Sequence, residues 1–217
     1  LRANAIAIAI LISILFSPTF VVADEFDTTV YIDPSNQTVS PEENFIVNVS
    51  CIPGQPIKSF EFRLSFNSSL LIANSVTEGN IFNGYDTFFN DGTINNSAGT
   101  IVDIYGLIIG SGNVTGSGAF VTINFTAKET AGVSSLVLSN VGITNETSYV
   151  SVSVSNGSVQ VDTISPVFDD ASPSTGYTGN SYTFNVSVTD NTCTADELTV
   201  MVDWTHGSNG GNESMMH

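Results

Sequence analysis

The side chains that could perform acid–base chemistry in this chain are few and scattered. Its two histidines, His206 and His217, lie in the Gly-rich C-terminal stretch, and two acidic pairs occur at Glu42-Glu43 and Asp169-Asp170. Glycoside hydrolysis needs two carboxyl groups facing each other across the substrate, roughly 5 to 10 Å apart. The sequence pattern places no further acid opposite either pair. We therefore predict no catalytic residues and expect the protein not to be an enzyme.

Two groups of Asp and Asn residues carry the hard oxygen atoms that Ca²⁺ prefers. They are Asp86, Asn90 and Asp91, and Asp190, Asn191 and Asp196. Neither group has the ligand spacing, the central Gly and the final Glu of an EF-hand loop. Because Asp and Asn also favour tight turns, we interpret both groups as turn residues and expect neither a metal nor a cofactor.

The two cysteines, Cys51 and Cys193, show neither the Cys-x-x-Cys spacing nor the Cys/His spacing of a redox or zinc site. They also fall in segments that we assign below to different domains, which disfavours a disulfide between them. We expect two small, buried or partly buried thiols without redox or metal chemistry.

The net charge is strongly negative because basic residues are scarce. The formal net charge is −17, yet charged residues make up only 12% of the 217 residues, about half the usual share. The basic side chains are Arg2, Lys58, Arg63 and Lys128. Four scattered cations cannot form the patch that binds a phosphate backbone or anionic lipid heads. The composition thus argues against nucleic acid and a membrane surface as partners.

The N-terminus has the pattern of a secretory signal peptide. Arg2 precedes the apolar run Ala5–Phe16, Pro18 interrupts it, and Val21-Val22-Ala23 supplies small residues before Asp24. The apolar run is shorter than the about 20 residues that cross a bilayer as a helix. We therefore expect residues 1–23 to be removed on export. The mature protein would then be extracellular or at the cell surface, without direct membrane insertion.

Residues 28–162 alternate apolar and polar side chains in short runs, which is typical of β-strands. The clearest run is Ser59–Phe66, where Phe60, Phe62, Leu64 and Phe66 share one face, and Ser59, Glu61, Arg63 and Ser65 share the other. Two further strands are predicted to point Phe45, Val47 and Val49, and Val121, Ile123, Phe125 and Ala127, toward the core.

Two other segments complete this strand pattern. Thr100–Ile109 is more continuously apolar, and Ser148–Asp162 is predicted to be a hairpin turning at Asn156-Gly157. No segment of helical length has a convincing apolar stripe at helical spacing. Residues 24–162 are therefore predicted to form an all-β, jelly-roll or Greek-key sandwich.

A second domain is predicted from a break in the pattern at Asp162–Pro166. A new alternating strand begins at Ser181, and Leu198–Trp204 predicts another. Two or three strands cannot close a sandwich core, so residues 163–217 are interpreted as a truncated Ig-like β domain. This tail, from Gly176 to Asn191, is similar to the Ig-like repeats of large exported archaeal surface proteins.

Four stretches of the first domain form an ordered pattern. They are Phe60–Asn67 followed by Leu70-Leu71, Phe88–Asp91 leading to Gly99–Val102, Gly116–Lys128, and Asn156–Val161. This pattern resembles that of cohesins, the binding modules of cellulosomes. The likeness runs roughly from Thr28 to Asp162 and so covers essentially a whole module.

The resemblance implies a jelly-roll sandwich that binds a dockerin, a small calcium-loaded protein module, on one exposed sheet face. Carried over by position, that face would comprise outward residues of two strands expected to be neighbours: Ser59, Glu61, Arg63, Ser65, Thr122, Asn124 and Thr126. Outward residues of Thr100–Ile109 would join them, but its apolar continuity leaves the register open. Asn67-Ser68 replaces the Asp-Pro common in the family, and the expected face lacks an aromatic or Leu anchor.

Ten Asn residues head the triplet Asn-x-Ser/Thr that accepts N-glycans. They are Asn36, Asn48, Asn67, Asn95, Asn113, Asn124, Asn145, Asn156, Asn185 and Asn212. Some are expected to carry glycans if the host glycosylates exported proteins; otherwise they are simple polar surface. A glycan at Asn124 would obstruct the docking face predicted above.

Two alternatives to dockerin recruitment stay open at this point. A carbohydrate-binding module of similar fold would be indicated by an exposed aromatic row, for which Tyr85, Phe88, Phe89 and Tyr105 are the candidates. Adjacent residues of a strand face opposite ways, so Phe88 and Phe89 cannot both be exposed, and core packing is the preferred interpretation. The other alternative is a structural stalk or surface-layer segment.

Overall fold

The computed structural model describes residues 27–170, 186–190, 201–206 and 209–214. Every regular element in these ranges is a β-strand. In chain order the strands are β1 (Thr28–Asp33), β2 (Asn36–Val39), β3 (Asn44–Ile52), β4 (Ser59–Ser65), β5 (Leu71–Glu78), β6 (Thr87–Asn90), β7 (Thr93–Asn95), β8 (Thr100–Ile108), β9 (Gly118–Ala127), β10 (Gly132–Thr144), β11 (Val152–Ser155), β12 (Gly157–Val161), β13 (Val167–Asp170), β14 (Val186–Thr189), β15 (Met201–His206) and β16 (Asn209–Ser214).

The first twelve strands form two sheets that enclose one hydrophobic core. The five-stranded sheet has the order β11-β1-β3-β9-β5, and the seven-stranded sheet has the order β2-β12-β10-β4-β8-β6, with β7 also pairing with β8. This arrangement confirms the predicted all-β sandwich. Within the described ranges no helix is long and apolar enough to span a membrane.

The alternation read from the sequence places the core residues correctly. Phe60, Phe62 and Leu64 of β4 are buried, as are the predicted inward residues of β3 and β9. Phe60 lies at the centre, with its ring centroid 4.3 Å from that of Phe120 and 5.8 Å from that of Phe82. Burying an aromatic side chain contributes about 2 kcal/mol relative to leaving it in water, so this cluster is a major source of stability.

Cys51 lies on β3 in the same core and is a free, fully buried thiol. Burial raises its pKa to about 12, because an apolar environment disfavours the charged thiolate. The expectation of a buried thiol is thus confirmed for Cys51.

The predicted hairpin at Asn156-Gly157 is wrong. β11 pairs in parallel with β1 in one sheet, whereas β12 pairs with β10 and β2 in the other. Asn156 lies between β11 and β12, where the chain passes from one sheet to the other. Its Oδ1 accepts a hydrogen bond from the backbone N–H of Leu138 on β10 at 2.9 Å. Glycine is needed at 157 for close approach: a Cβ there would lie 2.6 Å from Cγ2 of Ile32.

The described residues of the C-terminal part form two strand pairs. β13 pairs with β14, and β15 pairs with β16, both antiparallel. The Ig-like domain at 163–217 stays a prediction. Residues 1–23, residues 181–185, Cys193, Asp196 and His217 lie outside the described residues.

Candidate partner-binding surface

The seven residues predicted to form one docking face lie on two different sheets. Ser59, Glu61, Arg63 and Ser65 are on β4 in the seven-stranded sheet, whereas Thr122, Asn124 and Thr126 are on β9 in the five-stranded sheet. The prediction that these strands are neighbours is wrong, because β4 lies between β10 and β8, and β9 between β3 and β5. Alternation shows which side chains point outward, but it does not show to which sheet a strand belongs.

A β-bulge on β8 settles the register that the sequence left open. Leu64 pairs with Ile101 and Phe62 pairs with Ile104, so β8 has one residue more than β4 between these pairs. Asp103 occupies the extra position with a φ of 59°. After the bulge, Tyr105 and Leu107 point outward and are 37% and 36% exposed. The bulge therefore adds two large apolar side chains to the outer face beside β4.

Phe88 of the neighbouring strand β6 extends this apolar surface. Its ring stacks on that of Tyr105, with centroids 6.0 Å apart and planes at 20°. Phe88 is half-exposed, while Phe89 packs against the core, which confirms that the two point opposite ways. The preference for core packing is wrong for Tyr85, Phe88 and Tyr105, which are all exposed. The expected lack of an aromatic or Leu anchor is wrong as well.

Tyr149 approaches the same face from the loop that follows β10. Its hydroxyl donates a hydrogen bond to Oε1 of Glu61 at 3.0 Å, and its side chain is 69% exposed. This hydrogen bond, together with the negative charge of Glu61, raises the pKa of Tyr149. Between these residues and Leu107 lies a shallow depression of about 200 Å³. Sequence reasoning missed Tyr149, since only the folded loop brings it to β4.

Arg63 lies in a second depression between two bulges. β10 bulges between Ser139 and Gly142, and Asn140 there has a φ of 51°, while Asp103 marks the bulge on the other side. The recess has a volume of about 390 Å³. The Arg63 guanidinium makes no hydrogen bond or ion pair with another residue that the structure describes. Bulges next to binding sites re-aim side chains, and here they leave a free cation at the surface.

We call the set Glu61, Arg63, Phe88, Tyr105, Leu107 and Tyr149 the docking surface. It lies on the outer face of β4, β8 and β6 and on the adjoining loop. Asn124 belongs to the opposite sheet, so a glycan at Asn124 would not lie on the docking surface.

Asn90, from the first group of oxygen ligands considered for calcium, uses its side chain to bond to a neighbouring strand. Its amide donates a hydrogen bond to the backbone carbonyl of Asp103. Among the described residues no group of three or more His, Cys, Asp or Glu side chains could hold a metal ion. Asn191 and Asp196 of the second group lie outside the described residues.

The two sheets and the exposed face define the class of this protein as an all-β sandwich module with an apolar and aromatic surface on one sheet. The family model of the cohesin domain matches residues 28–161. The chain therefore belongs to the cohesin domain family.

Solved structures agree with this assignment at the level of fold. The chain is similar to the non-cellulosomal cohesin of Archaeoglobus fulgidus, with 18% identity over 64% of this chain and 93% of that one, and a TM-score of 0.50. The Clostridium thermocellum cohesin in the Coh-OlpC-Doc435 complex has 14% identity, with coverage of 65% and 97% and a TM-score of 0.53. The sixth cohesin of scaffoldin B from Acetivibrio cellulolyticus, in complex with a dockerin mutant, has 20% identity, with coverage of 63% and 100% and a TM-score of 0.51. A comparison with curated proteins found no match.

Proposed function

We propose that this module binds a dockerin-type protein through the docking surface and recruits it outside the cell or at the cell surface, without catalysing a reaction. The observation that carries the proposal is the group of exposed aromatic and apolar side chains around Glu61 and Arg63, in a member of the cohesin domain family. Similar folds solved in complex with dockerins support this choice of partner.

The composition of the docking surface suits a protein partner. Aromatic residues and Arg are enriched at the centre of protein interfaces, where a few of them supply most of the binding energy. Here Phe88, Tyr105 and Tyr149 provide rings, and Arg63 provides a guanidinium that no described side chain neutralises. A partner should therefore place an apolar side chain against the stacked rings and a carboxylate or carbonyl near Arg63.

Polysaccharide binding is the second candidate function. The specific observation in its favour is the stack of Phe88 on Tyr105 in the open. Aromatic faces are hydrophobic platforms against which the apolar face of a sugar ring can pack. A platform of two rings is small, and the neighbouring Glu61 and Arg63 fit a charged protein surface better.

The test is a binding screen of the full chain against purified dockerins and insoluble polysaccharides, with calcium and with a chelator. We expect saturable dockerin binding that needs calcium, because a dockerin is a calcium-loaded module. Binding should be lost in Leu107→Asp, which puts a charge in the middle of the docking surface. It should persist in Ile46→Asp, the matched control on the opposite sheet, where Ile46 is 52% exposed.

The outcomes separate the candidates. Polysaccharide binding that Leu107→Asp abolishes would replace the dockerin proposal with the sugar-binding one. Equal loss in both Asp variants would contradict the location of the surface, and no binding to either class would favour a structural stalk.

A further inference from the structure

The outer face of the five-stranded sheet carries a network of uncharged polar side chains. Thr126 Oγ1 donates to Oδ1 of Asn44 at 2.7 Å, and the amide of Asn74 donates to Thr126 Oγ1 at 2.8 Å and to Asn124 Oδ1 at 2.7 Å. The network fixes the side-chain oxygen of Asn124 against a neighbouring strand. Because the carboxamide is planar, its Nδ2 is held away from that contact and bonds to no described residue.

Asn124 is the first residue of the triplet Asn124-Phe125-Thr126. Its neighbours Ile123 and Phe125 are fully buried, so strand alternation points the Asn124 side chain to solvent. An N-glycan is attached through Nδ2 and leaves Oδ1 able to accept its hydrogen bond. The hydrogen bond from Asn74 is thus compatible with a glycan at Asn124.

Asn145 provides the contrast within the same chain. Its Oδ1 accepts hydrogen bonds from Thr147 and Ser148, and its Nδ2 donates to Oε1 of Gln55 at 3.2 Å. The side-chain nitrogen of Asn145 donates one hydrogen bond, whereas that of Asn124 donates none to a described residue.

An exposed isoleucine lies beside Asn124. Ile46 of β3 is directly opposite Asn124 of β9 in the sheet register and is 52% exposed. Directly opposite residues of an antiparallel pair have Cβ atoms about 5 Å apart. The first sugar on Asn124 would therefore lie over Ile46 and cover apolar surface on a face that lacks charge at its centre.

We propose that Asn124 is an N-glycosylation site whose glycan covers the outer face of the five-stranded sheet and leaves the docking surface open. The donor is an oligosaccharide activated as a diphosphate ester. Nδ2 forms a bond to the anomeric carbon, the bond from that carbon to the diphosphate oxygen breaks, the diphosphate leaves with the electron pair, and one amide proton is released.

The other triplets of the described residues lie on both sheets and in the loops between strands. None of the Asn residues that head a triplet in the described part of the chain belongs to the docking surface, and Asn48, like Asn124, lies on the five-stranded sheet. Asn48 Oδ1 accepts a hydrogen bond from Thr122 Oγ1 at 2.8 Å. Asn36 of β2 and Asn95 of β7 lie on the seven-stranded sheet, so the separation from the docking surface by the whole sandwich holds for Asn124 and Asn48.

The first experiment measures occupancy and does not depend on the proposed dockerin partner. The full chain is secreted from a yeast that N-glycosylates exported proteins, and each triplet is mapped by peptide mass spectrometry. We expect glycan at Asn124. Thr126→Ala should remove the glycan, while the matched Thr126→Ser, which keeps the triplet, should retain it. Bare Asn124, whether other triplets are modified or all are bare, would overturn the proposal.

A second experiment uses a dockerin that binds the protein, and tests whether the glycan at Asn124 leaves the docking surface open. Enzymatic removal of the glycans should change the Kd of the wild-type protein by less than about twofold. Arg63→Asn completes a triplet with Leu64 and Ser65 on the docking surface, so its glycosylated form should bind poorly. Removal of the glycan by an amidase leaves a carboxylate at position 63, so binding should recover to the level of Arg63→Asp. If glycan removal lowered the Kd of the wild-type protein more than about tenfold, the proposal that the glycan leaves the docking surface open would be refuted.

Discussion

Removing the Tyr105 ring is expected to weaken dockerin binding by about 20-fold. Tyr105 is 37% exposed, which for a side chain of roughly 200 Å² leaves about 75 Å² for a partner to cover. At about 25 cal/mol per Å² this area contributes about 1.9 kcal/mol to binding, which gives the stated factor in Kd. For Phe88, which is 50% exposed, the same reasoning gives about 2.5 kcal/mol and about 60-fold.

The assay is isothermal titration of a dockerin with wild type, Tyr105→Ala, Phe88→Ala and the double variant. Because the two rings are in contact, the losses should not add: the double variant should lose less than the sum of the single losses. Urea unfolding checks that each variant is folded, and losing the exposed stack should lower the free energy of unfolding by about 1 kcal/mol.

Ile46→Ala is the matched control, because Ile46 is at least as exposed but lies on the opposite sheet. An unchanged Kd in Tyr105→Ala, or an equal loss in Ile46→Ala, would refute the assignment of the binding energy to the stacked rings.

Two further predictions concern ionisation and packing. Tyr149 should ionise at a higher pH than the ordinary tyrosine value of 10.0, because its phenolate would lose the hydrogen bond to Glu61 and face a like charge. The stabilisation that the Tyr149–Glu61 hydrogen bond provides is present below that value and is lost as the pH rises through the raised pKa of Tyr149. In Glu61→Gln, ultraviolet titration should show the pKa of Tyr149 returning toward 10.0. Gly106→Ala should destabilise the protein by about 1 to 3 kcal/mol, because its Cβ would lie 2.7 Å from the buried Phe60 ring. Gly116→Ala, whose Cβ would meet nothing within 4 Å, should leave the urea midpoint unchanged, and equal midpoints for both variants would contradict the packing argument.

The strand interiors were predictable because each has one face on the core. In β3, β4 and β9 a period of two residues carries this information, so the inward side chains were placed correctly. Sheet membership was not predictable, since it depends on pairings between distant segments. The hairpin at Asn156-Gly157 was wrongly predicted for the same reason. A turn-forming pair between two short strands suits a connection from one sheet to the other as well as a tight turn within one sheet.

Part of the docking surface could be predicted from the sequence. Glu61 and Arg63 follow from the alternation of β4. The outward orientation of Tyr105 and Leu107 could not be predicted, because the bulge at Asp103 shifts the alternation of β8 by one residue. Tyr149 could be found only from the folded chain, which brings the loop after β10 to Glu61.

The parallel pairings at the two ends of the module determine how it would respond to a pulling force. β1 pairs with β11 and β2 pairs with β12, so the first and last segments of the sandwich run side by side in the same direction. If a load acts on the chain before Thr28 and after Val161, the two pulling points lie at opposite ends of these paired segments. The force then runs along the strands and shears the interstrand hydrogen bonds together, instead of opening them one after another. A module built in this way can stay folded under tension while its outer faces remain available.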